Sequence, residues 1–218
     1  MQKFDLDQIS DNDILEGKML LVDKPLRWTS FDVVKYIRKS LISKFKIKRI
    51  KVGHAGTLDP LATGLLVICI GKQTKEISKY QNLTKTYTGK FKLGETTPSY
   101  DAETEVNETF KYEHVKEIDI IDLSQKFTGK LMQKPPIFSA IKKDGKRLYE
   151  YARENKKIEI QEREINVHEF EIIKFSDPYI DFKITCSKGT YIRSIANDFG
   201  KKLNSGSYLS ELRRINIG

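Results

Sequence analysis

A continuous apolar run at residues 65–70, Leu-Leu-Val-Ile-Cys-Ile, sets the strongest limit on how this chain can fold. Strands with one wet face alternate apolar and polar residues, whereas an unbroken apolar run is typical of a strand covered on both faces. We therefore predict a central strand at 65–70. Shorter strand patterns at 17–23, 87–93 and 179–187 are candidates for the rest of its sheet.

Helical patterns are interspersed among these strands. Thr29 and Asp32 match the capping box that begins a helix, and apolar residues at helical spacing follow, so we predict a helix at 30–42. Further helices are predicted at 147–154 and 190–203. There is no regular βαβ period and no internal repeat. The predicted fold class is therefore α+β, with a central mixed, mainly antiparallel sheet flanked by helices.

Two segments are expected to lie outside this core. Residues 1–16 are acidic and are predicted to be poorly ordered. Residues 130–155 read as an exposed, thumb-like flap inserted into the domain. No linker rich in proline or serine divides the chain, so we predict that residues 17–218 form a single domain.

Positive charge is concentrated in particular segments. The formal net charge is +9, and residues 33–51 contain eight basic side chains and no acidic one. Clustered positive charge attracts polyanions and makes binding sensitive to salt. A solvated lysine-rich surface is the alternative, so charge by itself does not separate a nucleic-acid-binding protein from other classes.

The sequence favours a cytoplasmic protein. No stretch approaches the roughly 18 consecutive apolar residues of a membrane span, and the acidic N-terminus does not resemble a secretory or transit signal. The two cysteines, Cys69 and Cys186, lie in apolar strand patterns. We expect both to be buried thiols rather than disulfide partners or metal ligands.

The loop Gly53–Gly64, GHAGTLDPLATG, has the pattern most suggestive of chemistry. Its three glycines permit close backbone approach, and Pro60 biases Asp59 to an extended conformation. An aspartate in such a loop is often only a turn former, and an isolated histidine such as His54 is usually structural. No third ligand lies near the two, so we predict no metal site.

The same loop closely resembles the catalytic motif of the TruB family of tRNA pseudouridine synthases. The resemblance covers about residues 17–215. It is supported by five further segments: GKMLLVDKP, KTYTGKFKLG, QKPPIFSAIKKDGKRLYEYAR, CSKGTYIRSIANDFG and GSYLSELRR.

The resemblance implies a role for each matched position. The family's catalytic aspartate falls on Asp59, and the other predicted catalytic residues are Tyr87 and Arg193. Predicted substrate contacts are His54, Tyr191 and Leu212. Lys24 is added as a residue that could line the basic pocket, and the alternative, which we favour, is a structural or indirect role.

The implied reaction converts a T-loop uridine of tRNA, at position 55, to pseudouridine. The N1–C1′ bond breaks, the uracil turns over, and C5 bonds to the sugar, so no cofactor is required. An aspartate is already ionised at neutral pH, and a neighbouring guanidinium keeps it so against burial. We therefore expect Arg193 to hold Asp59 charged. Attack at C1′, attack at C6 and a glycal route all remain open, with the glycal route and proton transfer by Tyr87 preferred.

RNA binding by such an enzyme requires extrusion of the target base and a grip on flanking phosphates. We expect His54 to insert into the T-loop and the 130–155 flap to close over it. Predicted phosphate contacts come from two basic clusters: Lys35, Arg38, Lys39, Lys48, Arg49, Lys51, Lys142, Lys143 and Arg147.

Two departures from the family pattern are present. Family members often carry glycine where Arg27 stands, so the turn is expected to be altered or to gain a phosphate contact. The chain also ends at Gly218, where many relatives continue into an RNA-binding domain of the PUA type. We expect a monomer that binds the tRNA T-arm without guide RNA or an obligate protein partner. An RNA-folding module and a guide-RNA-dependent enzyme are the alternatives.

Overall fold

The structure is a computed structural model that describes residues 4, 6–154, 156 and 158–218. These residues form two compact units. The first contains the described residues up to Tyr87 together with Leu212–Gly218, and the second is Thr88–Glu211.

Helices and strands are interspersed along the described part of the chain. The helices are α1 (Asp11–Glu16), α2 (Ser30–Phe45), a 3₁₀ helix (Gly71–Glu76), α3 (Ile77–Asn82), α4 (Glu117–Lys126), α5 (Leu148–Arg153) and α6 (Ile192–Lys202). The strands are β1 (Lys18–Lys24), β2 (Val52–Ala55), β3 (Ala62–Ile70), β4 (Lys85–Leu93), β5 (Glu95–Thr96), β6 (Glu108–Thr109), β7 (Gly129–Gln133), β8 (Lys142–Lys143), β9 (Lys146–Arg147), β10 (Arg163–Ser176), β11 (Tyr179–Cys186) and β12 (Ser207–Ile217).

Strand β3 is the centre of the first unit. It pairs antiparallel with β1 and β2 and parallel with the end of β12. Leu66, Ile68 and Ile70 are fully buried in the cluster that includes the apolar face of α2. Val67 and Cys69 face a second buried cluster. Strand β3 is therefore covered on both faces, which confirms the prediction of a central strand, although it begins three residues earlier than expected.

Helix α2 begins as the sequence pattern predicts. The Thr29 side chain accepts a hydrogen bond from the Asp32 backbone, and the Asp32 carboxylate accepts one from the Thr29 backbone. The Thr29 hydroxyl also donates to the Asp32 carboxylate, and this bond, followed by the one from the Thr29 backbone, holds the pKa of Asp32 below its usual range. The helix continues to Phe45, beyond the predicted end at residue 42.

The structure describes residues 4 and 6–16 of the N-terminal segment, for which poor order stays a prediction. Residues 11–16 form α1 behind a capping box made by Ser10 and Asp13. Ile9 is buried, and Phe4 packs edge-on against Trp28. These apolar side chains cover the first unit's core, an effect that the local acidic composition does not reveal. Residues 1–3 and 5, also included in that expectation, lie outside the described residues.

The second unit is built on an antiparallel ladder. Strand β10 pairs with β11 on one side and with β7 on the other. Its core is aromatic: the Phe91 and Phe182 ring centroids lie 4.3 Å apart, and Phe170 and Phe199 pack beside them. Cys186 and Cys69 are both buried, as predicted. Together with the mixed pairing around β3, this ladder confirms the predicted α+β class.

The predicted flap at 130–155 contains the end of β7, the β8–β9 hairpin and α5. Its described residues are residues 130–154. That this segment closes over RNA stays a prediction. No helix in the described part of the chain is long and apolar enough to cross a membrane.

Candidate active site

Asp59 lies in a loop that joins β2 to β3. The irregular part is shorter than the predicted 53–64, because His54 belongs to β2 and Ala62 already begins β3. Gly56 and Gly64 have φ angles of +92° and +100°, values that favour glycine. The Asp59 carbonyl accepts a hydrogen bond from the Ala62 backbone at 3.0 Å.

Side chains and backbone from the start of α2 hold this loop. Ser30 is buried, and its hydroxyl both accepts from the Leu58 backbone N–H at 2.9 Å and donates to the Leu58 carbonyl at 3.2 Å. The Arg27 backbone N–H donates to the Pro60 carbonyl at 2.8 Å. The residues on both sides of Asp59 are thus tied to a neighbouring element.

Arg27 itself has a left-handed backbone, with φ at +65°. That conformation costs an L-residue about 1–2 kcal/mol more than glycine. Arg27 therefore occupies a backbone conformation that favours glycine. That it alters the family's turn or adds a phosphate contact stays a prediction.

Lys24 supports the same loop through hydrogen bonds to its backbone and to the neighbouring turn. Its side chain is fully buried, and its ammonium donates to the carbonyls of Pro25, Trp28 and Pro60. Burial lowers the pKa of Lys24 to about 8, and attraction to Asp59 opposes that shift. The ammonium is directed at protein backbone, so the geometry supports a role in holding the loop and gives no support to the predicted substrate contact.

Arg214, which sequence reasoning did not single out, occupies the other side of the loop. It is 1% exposed. Its Nε donates to the Leu65 carbonyl at 2.7 Å and its Nη2 to the Gly56 carbonyl at 3.1 Å. The sequence offered no local signal for this burial, because β12 was not predicted as a strand and its buried positions do not alternate regularly.

His54 lies on β2, just before the loop. Burial, and secondarily the positive charge of Arg214, lower the pKa of His54, which favours the neutral imidazole. Its Nδ1 is buried and has no hydrogen-bond partner among the described residues. A neutral ring with an unused nitrogen is suited to a polar contact with a ligand.

Two further predicted site residues belong to the first unit. Tyr87 is 9% exposed on β4. Leu212 is half-buried and pairs in register with Ala62, at the end of the Asp59 loop. Asp59, His54, Lys24, Tyr87 and Leu212 are therefore all parts of one compact unit.

Arg193 belongs to the second unit, in the first turn of α6. It is 3% exposed and donates to the carbonyls of Ser99 and Phe138 at 3.2 and 3.0 Å. Its Nε lies 3.6 Å from Oδ2 of Asp101, which is also buried. The Ser99 hydroxyl donates to the other Asp101 carboxylate oxygen at 2.6 Å. Asp101 is thus a buried partner of Arg193 that the sequence analysis missed within an acidic stretch.

Tyr191 immediately precedes α6. The buried Gln133 side chain holds its backbone in both directions: the Tyr191 N–H donates to Gln133 Oε1 at 2.8 Å, and Gln133 Nε2 donates to the Tyr191 carbonyl at 3.1 Å. Gln133 was also missed, because a lone glutamine in a strand pattern gives no functional signal.

The predicted phosphate-binding residues divide into two groups. Two of them are partly committed to the protein, since Arg38 donates to the Val52 carbonyl and Lys143 to the Glu159 carbonyl. The remaining seven are exposed: Lys35, Lys39, Lys48, Arg49, Lys51, Lys142 and Arg147.

The described residues contain no cluster of three His, Cys, Asp or Glu side chains that could hold a metal ion.

Comparison with known proteins places this arrangement in a family. Residues 42–192 match the model for the TruB family pseudouridylate synthase, N-terminal domain. A tRNA pseudouridine synthase B from Flavobacterium johnsoniae is 57% identical over 96% of this chain and 92% of its own length. The protein of the same name from Chloroherpeton thalassium is 53% identical, over 93% of this chain and 84% of its own length.

Solved structures with the same fold include a Cbf5-Nop10-Gar1 complex, in which the matched chain has a TM-score of 0.70 and 27% identity. The match covers 95% of this chain and 50% of that one, so the chain spans about half the length of that structure. The extent of the family match and the identity to whole-length relatives lead to one conclusion: the chain belongs to the TruB family of pseudouridylate synthases.

Proposed function

We propose that this chain isomerises one uridine in the T-loop of tRNA, at position 55, to pseudouridine, and that Asp59 is the carboxylate on which the reaction depends. The observation that carries the proposal is the Asp59 loop, which is tied to Ser30, Lys24 and Arg214 on three sides. Its relatives named tRNA pseudouridine synthase B support tRNA as the substrate.

The reaction is an isomerisation, and its atoms balance without a second substrate. The N1–C1′ bond breaks, the C5–C1′ bond forms, and C5 loses a proton while N1 gains one. The enzyme must therefore stabilise a detached uracil beside the sugar and move one proton. We assign the role beside the sugar to the fixed carboxylate of Asp59 and the proton transfer to Tyr87.

Arg193 is proposed to act with Asp59 by favouring its ionised form. A guanidinium beside a carboxylate stabilises the negative charge. The buried ion pair of Arg193 with Asp101, together with hydrogen bonds to two backbone carbonyls, supports a fixed orientation for this guanidinium. Tyr191 and Leu212 complete the proposed slot around the uracil ring.

The proposed RNA contacts follow the exposed basic residues. Lys35, Lys39, Lys48, Arg49 and Lys51 are exposed in the first unit and suit phosphates that flank the target. His54, with its unused buried nitrogen, is proposed to contact the opened T-loop. Independence from guide RNA, a monomeric state and a cytoplasmic location stay predictions.

The first experiment incubates the purified chain with an unmodified tRNA transcript and maps pseudouridine by position. We expect stoichiometric conversion at position 55. For Asp59→Asn we expect no product, with tRNA affinity within about threefold of wild type, since the change removes one charge and no bulk.

The matched control is Asp122→Asn, an exposed aspartate on α4 that should leave the rate unchanged. Product formation by Asp59→Asn would remove Asp59 from its proposed role. Absence of product from the folded wild-type chain would reject the proposed function.

A further inference from the structure

The two ends of the Asp59 loop meet at a single side chain. Strands β2 and β3 pair only as far as Ala55 and Val67, so the chain between them has to return across a gap. The Gly56 carbonyl lies at the start of this excursion and the Leu65 carbonyl near its end. Both accept a hydrogen bond from the Arg214 guanidinium.

Backbone pairing holds Arg214 in this position. Residues 212–214 of β12 run parallel to residues 62–64 of β3, with Arg214 opposite Gly64. A Cβ atom at Gly64 would lie 2.2 Å from the Arg214 carbonyl oxygen, so only glycine permits this approach. The arginine backbone and the loop backbone are therefore in direct contact, and the guanidinium has little freedom to move.

The guanidinium of Arg214 is an unusual buried charge. Burying a charge is costly unless hydrogen bonds or an opposite charge compensate. The partners of Arg214 found among the described residues are backbone carbonyls rather than a carboxylate. Its charge still acts on its neighbours, because it lowers the pKa values of both His54 and Lys24.

A hydrophobic side chain would leave the carbonyls of Gly56 and Leu65 without this donor, so the guanidinium serves the loop backbone and does more than fill volume. We propose that Arg214 is a positioning residue for catalysis: by joining the carbonyls of Gly56 and Leu65 it fixes the shape of the loop and hence the place of the Asp59 carboxylate. The inference rests on the proposed role of Asp59. Lys24 donates to the Pro60 carbonyl, so the loop is also held near its middle.

Adjacent arginines allow a matched test. Arg213 is half exposed and pairs with Asp23, whereas Arg214 is buried against the loop. Arg214→Lys keeps the charge, but one ammonium on a flexible stem cannot reproduce the two directed hydrogen bonds of the guanidinium. Arg213→Lys makes the same chemical change one residue away.

We would measure single-turnover pseudouridine formation on a tRNA transcript, tRNA dissociation constants and thermal unfolding for wild type, Arg214→Lys, Arg213→Lys and Arg214→Gln. Misplacement of a reacting group by about 1 Å costs on the order of 10²-fold in rate. We therefore expect the single-turnover rate of Arg214→Lys to fall by roughly tenfold to a hundredfold, with tRNA affinity within about threefold of wild type. Arg214→Gln should be slower still, and Arg213→Lys should match wild type.

A folded Arg214→Lys with a wild-type single-turnover rate would overturn the inference. So would a rate loss fully explained by the fraction of unfolded protein, or the failure of both Arg214 variants to fold, since Arg214 would then serve only the core. Failure of the proposed function itself appears separately, as a wild-type chain without activity or an active Asp59→Asn.

Discussion

At the scale of single residues, the two buried cations that hold the Asp59 loop, Lys24 and Arg214, donate to backbone carbonyls rather than to carboxylates. The Lys24 ammonium is surrounded by three carbonyl oxygens in a fully buried position. Carbonyl dipoles compensate a buried charge less completely than an anion does, so burial dominates and lowers the pKa of Lys24 to about 8. Asp59 and Asp32 favour the charged form, and Arg214 disfavours it.

This position of the Lys24 pKa predicts an alkaline limit to activity. As pH rises through about 8, the ammonium loses its proton and with it the attraction to Asp59. If the charge is required, the single-turnover rate should fall by roughly tenfold for each pH unit above that value. We expect Lys24→Met to be slower at every pH and to lack this descending limb.

The control for this pH–rate profile is the effect of Lys24 titration on the stability of the folded chain. Unfolded Lys24 keeps its ordinary pKa of 10.5, so between about 8 and 10.5 the unfolded chain holds the extra proton. Rising pH in that window therefore favours the folded state through this group, and unfolding at Lys24 would not explain the lost activity. A wild-type rate that stays constant to pH 9, or a limb that persists in Lys24→Met, would contradict the assignment.

At the scale of elements, three strands meet at the Asp59 loop. Strand β2 leads into it, β3 leaves it, and β12 runs alongside its end. The close approach of β12 depends on the missing side chain of Gly64. The functional geometry is therefore set by a backbone contact between residues about 150 positions apart in sequence.

Gly64→Ala should separate steric cost from conformational cost. An alanine there meets a φ of +100° and Arg214 backbone atoms at 2.2 and 2.9 Å. Gly129→Ala meets a similar φ of +95° with no atom within 4 Å. We expect Gly129→Ala to lose about 1–2 kcal/mol in the free energy of unfolding, from the left-handed backbone.

For Gly64→Ala we expect a larger loss, more than about 3 kcal/mol, together with loss of activity in any folded fraction, because β12 has to move away from the loop. Urea unfolding measures both variants. Equal losses of stability would show that the close approach to β12 contributes nothing.

At the scale of the whole molecule, charge is segregated along the chain. The charged residues of segment 33–51 are all basic, whereas those of segment 101–122 are mostly acidic. Counterions released by bound phosphates make affinity fall with salt, in proportion to the number of contacts. The basic segment is therefore expected to account for much of the salt dependence of tRNA binding.

Neutralising three exposed residues tests this expectation. The combined change Lys48→Gln, Arg49→Gln and Lys51→Gln should weaken tRNA binding and reduce the slope of log affinity against log salt by roughly one for each phosphate contact removed. The control changes Lys111, Lys126 and Lys174, three exposed lysines outside the predicted contacts, to Gln. Equal slopes for the two triple variants would place the RNA elsewhere.

Elements of the fold were predictable where the local sequence pattern matches the burial of the same residues in the structure. Helix α2 was identified because its capping box and its apolar spacing point to the same element, and β3 because its apolar run is unbroken. Strand β12 was not predicted as a strand, since its sequence SYLSELRRINI is mostly polar and its buried positions do not alternate regularly. Helix α1 was missed because its stability depends on apolar residues before it packing on a distant core.

The Gly-rich loop, its aspartate and the family that the loop resembles can all be read from adjacent residues of the sequence. The cations that support the loop became visible only in the folded chain. The roles of Lys24 and Arg214 could not be read locally, because a buried charge is tolerated only where hydrogen-bond acceptors or an opposite charge surround it, and here the acceptors are carbonyls. Those of Arg214 come from residues about 150 positions away in the chain.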